Sequence, residues 1–185
     1  MPWISIIDED EATGNLKEIY HELKEKRGKV GNILKVHSLN PQAMKDHADL
    51  YVTLMFGRSK LTREERELIG IIVSIINGCK YCINHHAEAL NHYWKDNERT
   101  KKLILDFNSL DLPKRIIKMF EYVIKLTKTP HNVDQRDINT LSESGFSDEE
   151  ILNINLITSY FNFVNRIALG LGVESTLEEI GGYNY

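Results

Sequence analysis

Residues 62–86, TREERELIGIIVSIINGCKYCINHH, decide the fold of this chain, because they predict a buried helix followed at once by a second helix. Thr62 and Glu65 have the spacing of a capping box, which marks the start of a helix. Residues 68–76 then place apolar side chains over about 200° of the helix circumference, so this helix is expected to lie near the centre of the molecule. Gly78 is expected to end it, since glycine tolerates the left-handed backbone of a helix C-cap.

Helical periodicity continues on both sides of this stretch. Capping and proline signals, followed by apolar side chains at helical spacing, predict further helices at 12–26, from Asn40-Pro41, at 96–107, from Leu112-Pro113, at 134–143 and from Ser147 to Leu169. No segment alternates in the pattern of a β-strand. We therefore predict an all-α fold in a single domain over residues 1–185.

The composition limits the classes of protein to which the chain can belong. Its 185 residues, 42% of them hydrophobic, suffice for one substantial core, and nothing suggests a second domain. A net charge of −4 argues against a nucleic-acid partner. The N-terminus has no basic region followed by an apolar stretch, and no apolar run has membrane-spanning length. We expect a cytoplasmic protein without a membrane partner.

The only two cysteines, Cys79 and Cys82, form a CxxC motif, and His86 follows four residues later. On a helix with about 100° per residue, these three side chains fall within an arc of roughly 60°. His85 points about 90° away from the middle of that arc. We therefore expect His86 to serve the cysteine pair and His85 to take no part.

The predicted helix start near Cys79 favours thiol chemistry. Free backbone N–H groups, the positive end of the helix dipole and a neighbouring imidazolium all favour a thiolate over a thiol. A first-turn position also leaves the backbone free to relax, so that a disulfide can close and reopen. In the cytoplasm a CxxC motif is more often redox-active than a structural crosslink.

A CxxC motif has three other interpretations. Two cysteines in a soluble protein are often buried small hydrophobes. A zinc site lacks ligands, because no second CxxC or HxxxH motif completes a tetrahedron. A c-type haem is excluded, because Ile83 rather than histidine follows the second cysteine.

Two further features leave alternatives open. Glu67 lies about 40° beyond the apolar sector of its helix, so periodicity favours a solvated side chain, and spacing alone does not decide whether it reaches the thiols. The last long helix carries a stripe of amides and hydroxyls rather than Lys and Glu, formed by Asn155, Thr158, Ser159, Asn162, Asn165 and Arg166. This amide stripe packs against another polar surface such as a second subunit, borders the active site, or is an exposed face.

Glu67, Cys79-x-x-Cys82 and His86, at this spacing, resemble the signature of the AhpD-like alkylhydroperoxidases within the carboxymuconolactone decarboxylase superfamily. Flanking segments resemble the single-chain, peroxidase-related branch: Ser38-Leu39-Asn40-Pro41, Leu61-Thr62-x-x-Glu65-Arg66-Glu67 and Tyr160-Phe161-Asn162-Phe163-Val164-Asn165-Arg166. The likeness spans most of residues 30–175, which we take as the core, with a peripheral N-terminal helix and C-terminal tail. Tyr81 stands where well-studied members carry a histidine.

The resemblance implies an all-helical homo-oligomer that reduces hydroperoxides through thiols, with Cys79, Cys82, His86 and Glu67 as the catalytic residues. We expect His86, oriented by Glu67, to accept the proton of Cys82, which then attacks the peroxide. Cys79, expected to be the more accessible sulfur, closes the disulfide, and an external dithiol reopens it. No metal or organic cofactor is expected. The alternatives are a non-enzymatic redox sensor and a decarboxylase-like enzyme.

Overall fold

Short turns join ten α-helices in the computed structural model, which describes residues 2–183 and contains no strand within them. The helices are α1 (Gly14–Arg27), α2 (Asn32–Lys35), α3 (Pro41–Phe56), α4 (Arg63–Asn77), α5 (Lys80–Trp94), α6 (Asn97–Asp106), α7 (Lys114–Lys128), α8 (Gln135–Glu143), α9 (Asp148–Gly170) and α10 (Leu177–Ile180). The predicted all-α class is confirmed. The last two residues of the predicted C-terminal tail lie outside the described part of the chain.

Helix α4 is the central helix, as its apolar sequence predicts. Thr62 and Glu65 make both hydrogen bonds of the capping box at its start. Its apolar side chains from Leu68 to Val73 are buried, and the helix packs on α5, α7 and α9. Gly78 ends it at φ 69°, in the left-handed region. Removing this much apolar surface from water, at about 25 cal/mol per Å², is what holds the four helices together.

Helix α1 packs on α3 rather than on α4. The apolar side chains that join them form a separate cluster, which includes Leu16, Ile19, Tyr20, Leu23, Met44 and Ala48. Helix α2 connects these helices and also contacts α9. The space between α1, α3, α5 and α9 becomes the cavity described below.

Sequence periodicity predicts every helix longer than four residues, and each boundary that it gives lies within one or two residues of the observed one. It misses α2 and α10, which have four residues each. So short a helix offers too few positions for a 3.6-residue repeat to be recognised. No helix within residues 2–183 combines the length and apolar character that a bilayer span requires.

Candidate active site

The two cysteines lie at the junction of α4 and α5. After the left-handed turn at Gly78, the Cys79 N–H donates to Ser74 O at 2.9 Å, and Cys79 becomes the N-cap of α5. Cys82 follows in the first turn. Both cysteines are free, and their Sγ atoms lie 2.9 Å apart. The helix start predicted near Cys79 is confirmed, and it brings the two sulfurs within reach of each other.

The two sulfurs do not differ in accessibility. Cys79 is 1% exposed and Cys82 is 2% exposed. The expectation that Cys79 is the more accessible is therefore wrong, because helix α4 covers the start of α5 as closely as its first turn. Burial of both thiols is also what structural cysteines would show, so the surroundings of the pair must distinguish the two interpretations.

Glu67 and His86 form a buried pair beside the cysteines. His86 Nδ1 lies 2.7 Å from Glu67 Oε2, and Glu67 is fully buried. Arg63, one turn earlier on α4, donates from Nη2 and Nε to Glu67 Oε1 at 2.6 and 2.9 Å. The solvated side chain that periodicity favours for Glu67 is wrong, because α5 packs along this edge of α4 and Arg63 covers its outer side.

The hydrogen-bond partners of Glu67 favour the ionised form of its carboxyl. Burial alone would raise the pKa of the Glu67 carboxyl, but the hydrogen bond and charge of His86, together with Arg63, hold that pKa below its usual range. An ionised Glu67 accepts a hydrogen bond from His86 Nδ1, so Nε2 is the ring nitrogen that can gain or lose a proton.

The ring of His86 is held on three sides. Besides Glu67, it packs edge-on against Phe161 of α9, with ring centroids 4.3 Å apart. On the third side lies Gly70 of α4, where a Cβ atom would come within 2.8 Å of His86 Nδ1. Glycine at position 70 thus permits the close approach of the imidazole to the α4 backbone.

The electrostatic surroundings of the two thiols differ. The contact with Cys82 lowers the pKa of Cys79, against its burial, and backbone N–H groups at the helix start add to this effect. The contact with Cys79 and burial raise the pKa of Cys82 well above the range of a free thiol, although a hydrogen bond from Asn165 opposes the shift. The backbone N–H groups at the start of α5 therefore favour a thiolate at Cys79.

Part of the amide stripe borders this site. Asn77, the last residue of α4, donates from Nδ2 to Asn162 Oδ1 at 3.0 Å and to Asn165 Oδ1 at 3.1 Å. Asn165 in turn donates to Ser74 Oγ at 3.3 Å. Ser159 remains exposed. The interpretation of the stripe as a border of the site is therefore correct for Asn162 and Asn165.

A cavity of about 140 Å³ connects the site to the surface. Its buried end is lined by Cys82, His86 and Glu67, and Cys79 is not among its lining residues. Its walls are largely apolar and come from α1, α3, α5 and α9. A molecule that enters the cavity thus meets Cys82 beside His86.

A second carboxylate–histidine pair closes one side of the cavity. His85 Nε2 lies 2.6 Å from Glu179 Oε2 on α10. The other oxygen of Glu179 accepts from Tyr81 Oη at 2.8 Å, from Asn32 N–H at 3.0 Å and from Tyr183 Oη at 3.2 Å. His85 therefore holds the C-terminal segment against α5.

Sequence analysis missed Arg63, Gly70 and Glu179. Arg63 could have been found as a cation at i−4 to Glu67, and Gly70 as the one small residue in a run of large apolar side chains. Glu179 gives no such signal, because its partner His85 is 94 residues away. Within residues 2–183, no three His, Cys, Asp or Glu side chains converge as a metal site would require.

Comparison with known proteins relates this site to a family. Residues 41–104 match the model of the carboxymuconolactone decarboxylase family, and the matched part contains Glu67, Cys79, Cys82 and His86. The Bacillus subtilis (strain 168) uncharacterized protein YdfG is 26% identical over 140 residues, which cover 74% of this chain and 91% of YdfG.

Two crystal structures share the whole fold. The first, described as an alkylhydroperoxidase AhpD core, is an uncharacterized peroxidase-related protein from Ralstonia eutropha JMP134; it has a TM-score of 0.87 and 26% identity, over 97% of this chain and 94% of that one. The second, a peroxidase-related protein from Silicibacter sp. TM1040, has a TM-score of 0.83 and 28% identity, over 97% and 92%. The chain is therefore similar in sequence to the carboxymuconolactone decarboxylase family and in fold to AhpD-like, peroxidase-related proteins.

Proposed function

We propose that this protein is a thiol-dependent peroxidase, which reduces hydroperoxides while Cys79 and Cys82 cycle between dithiol and disulfide. The observation that carries the proposal is that the buried Glu67–His86 pair lines the end of one cavity together with Cys82, whose sulfur lies 2.9 Å from that of Cys79. Structural cysteines would need neither a histidine base nor a route to solvent.

In the first step, Nε2 of His86 accepts the thiol proton of Cys82. The Cys82 thiolate attacks the terminal oxygen of the peroxide, so that an S–O bond forms as the O–O bond breaks. The departing alkoxide takes the proton from His86 and leaves as an alcohol. Glu67 stabilises the imidazolium and keeps Nδ1 protonated throughout.

In the second step, the Cys79 thiolate attacks the sulfenic sulfur of Cys82. An S–S bond forms as the S–O bond breaks, and the hydroxide leaves as water with a proton taken from solvent through the cavity. The peroxide has then gained the two electrons that the dithiol has lost. An external dithiol returns them by thiol–disulfide exchange, which fits a reducing, cytoplasmic compartment.

Two observations bear on the division of labour, and they point in opposite directions. The cavity and His86 favour Cys82 as the sulfur that meets the peroxide. The lowered pKa of the Cys79 thiol favours Cys79 for this role instead. We assign the attack on the peroxide to Cys82, because the peroxide can reach it through the cavity. Transfer of the Cys82 proton to His86 also creates a thiolate next to the terminal oxygen of the bound peroxide.

Sulfenic acid trapping tests this assignment. In the Cys79→Ser protein, a dimedone-type reagent added after peroxide is expected to label Cys82. In the Cys82→Ser protein, Cys79 should remain unlabelled. Labelling of Cys79 alone would reverse the roles. It would show that the lower pKa of Cys79 matters more than the access of peroxide to Cys82.

A continuous-turnover assay distinguishes a peroxidase from a redox sensor and from a decarboxylase-like enzyme. With peroxide and an excess of dithiol, we expect many turnovers per chain and none in the Cys79→Ser/Cys82→Ser protein. A redox sensor would consume one equivalent of peroxide and stop. Lactone decarboxylation that survives loss of both thiols would identify a decarboxylase-like enzyme.

We also propose that the chain forms a homo-oligomer through the outer face of α9. Leu152, Leu156 and Phe163 are exposed there at helical spacing, and an exposed apolar face of this kind marks an interaction surface. Mass measurement in solution at micromolar concentration tests this, with Phe163→Glu expected to shift the protein towards the monomer. A monomeric wild type would contradict the proposal.

A further inference from the structure

The outer lining of the cavity carries an excess of positive charge. Six charged residues lie there, four cations and two carboxylates: Glu22, Lys26, Arg27, Lys29, Lys45 and Asp49. The formal charges of these six residues therefore add up to +2, in a chain whose net charge is −4. A cleft with low-dielectric walls concentrates the field of such a cluster and attracts ions of opposite sign.

The rest of the cavity does not reverse this charge. Glu67, at the buried end, is matched by Arg63. His47, on the wall, is uncharged at neutral pH, because burial and then the neighbouring His37 lower its pKa to about 3. The other walls are apolar, with Leu23, Leu34 and Val164 among them.

The cations can accept a further negative partner. Lys45 contacts Asp49 at 3.0 Å and Glu22 at 3.7 Å, and exposed ion pairs of this kind are weak, so Lys45 can exchange these partners for another anion. Lys29 donates to the backbone oxygen of Glu178 at 2.7 Å and lies 4.6 Å from the centre of the Tyr183 ring. A carbonyl oxygen and an aromatic ring leave its full charge in place.

We infer that the substrate is an amphipathic anion: a hydroperoxide with an apolar body and a carboxylate at the far end from the peroxide group. The apolar body lies along the walls and the peroxide reaches Cys82 and His86. The carboxylate remains at the outer lining beside Lys29. This inference deepens the proposed function and rests on it for the peroxide group only, since the cavity would select the same shape and charge in any ligand.

Matched peroxides test the inference through kcat/KM. Cumene hydroperoxide, its para-carboxylate and the methyl ester of that carboxylate share the reacting group and differ in charge at the opposite end. We expect the carboxylate to be reduced about tenfold more efficiently than the ester in wild type, a factor of the size that electrostatic steering gives, and the preference to shrink as salt is added. An ester reduced as fast as the carboxylate would overturn the inference.

Two variants with the same change in net charge separate local from overall electrostatics. Lys29→Glu changes the charge at the cavity, whereas Lys17→Glu makes the same change on the exposed face of α1, away from it. Lys29→Glu should abolish the preference for the carboxylate and Lys17→Glu should preserve it. Equal losses in both variants would mean that only the net charge acts, and the inference would fail.

A binding measurement distinguishes failure of the inference from failure of the proposed function. Calorimetry of decanoate and of decanol with the Cys79→Ser/Cys82→Ser protein needs no redox chemistry. Tighter binding of decanoate that depends on Lys29, without turnover of any peroxide by wild type, would support the ligand class and refute the peroxidase. Equal turnover of all three peroxides, with decanol bound as tightly as decanoate, would refute the ligand class and support the peroxidase.

Discussion

Two neighbouring histidines of α5 each bind a carboxylate, yet the two pairs belong to different parts of the molecule. The inner pair joins His86 to Glu67 of the central helix at 2.7 Å, and Arg63 holds Glu67 from the other side. The outer pair joins His85 to Glu179 at 2.6 Å, on a helix of four residues near the C-terminus. Successive residues of a helix point about 100° apart, so His85 and His86 can bind carboxylates on two different sides of α5.

The two pairs have the same chemical composition and differ in their location. The inner carboxylate has its charge matched by Arg63 and binds His86, which lines the cavity together with Cys82. The outer carboxylate collects donors from three segments of the chain and so fastens the C-terminal segment to α2 and α5.

Tyr81 belongs to the outer pair. Its hydroxyl donates to Glu179 at 2.8 Å and accepts from the Ile33 N–H at 3.1 Å. Burial, followed by the nearby charge of Glu179, raises its pKa well above that of free tyrosine. We therefore expect Tyr81 to support the C-terminal segment and to take no part in the proton relay.

The largest expected effect separates the two histidines. His86→Ala should slow the reaction of the thiols with peroxide by about 10² or more, the usual contribution of a general base. His85→Ala should slow it by only a small factor, because His85 contacts Glu179 of the outer pair. Stopped-flow measurement of thiol loss in both variants checks this. Equal effects would mean that the two pairs do not differ in function.

Loss of the inner carboxylate should also cost the most stability. Glu67→Gln leaves the nearly buried Arg63 without its charge partner, and breaking such a pair costs about 3–5 kcal/mol. Glu179→Gln should cost less, because the cost cannot exceed the free energy that docks the short C-terminal segment. Urea unfolding of both variants measures the difference. A larger loss for Glu179→Gln would reverse the comparison.

The acid limb of the stability curve should report on the inner pair as well. A carboxyl whose pKa is lower in the folded state, as for Glu67, stabilises the fold above its unfolded pKa of about 4.3, and this contribution is lost as the pH falls through the folded pKa. The stability difference between wild type and Glu67→Gln should therefore be constant near neutral pH and shrink below about pH 4. A difference that grows on acidification would contradict the charged state of Glu67.

The frame of helices was predictable because its signals are local. Capping boxes, Pro41 and Gly78 lie within a few residues of the helix ends that they determine. The angular argument that selected His86 over His85 also used one helix only. These parts needed no knowledge of how the helices pack.

The partners of the histidines depend on packing and were not predictable from spacing. Glu67 reaches His86 because α5 packs on α4 at its polar edge. Helical periodicity gives no information about the angle at which two helices cross. Glu179 reaches His85 from a helix too short to predict. The resemblance to a family assigned Glu67 to the site where periodicity alone favoured solvent.

The smallest expected effect concerns the hydroxyl of Tyr81. Tyr81→Phe removes one of the hydrogen bonds to Glu179 and leaves the Ile33 N–H without its acceptor, while the ring still packs against His85 with centroids 4.5 Å apart. A buried hydrogen bond of this kind contributes about 0.5–1.5 kcal/mol, and bonds to a charged group up to about 3 kcal/mol. Amide hydrogen exchange should therefore quicken in α10 and α2, by about tenfold for each 1.4 kcal/mol lost, while α4 exchanges as in wild type. The peroxide reaction should change little, since the inner pair is intact. A loss as large as that of His86→Ala, with exchange in α10 unchanged, would instead place Tyr81 in the proton relay and merge the two pairs into one site.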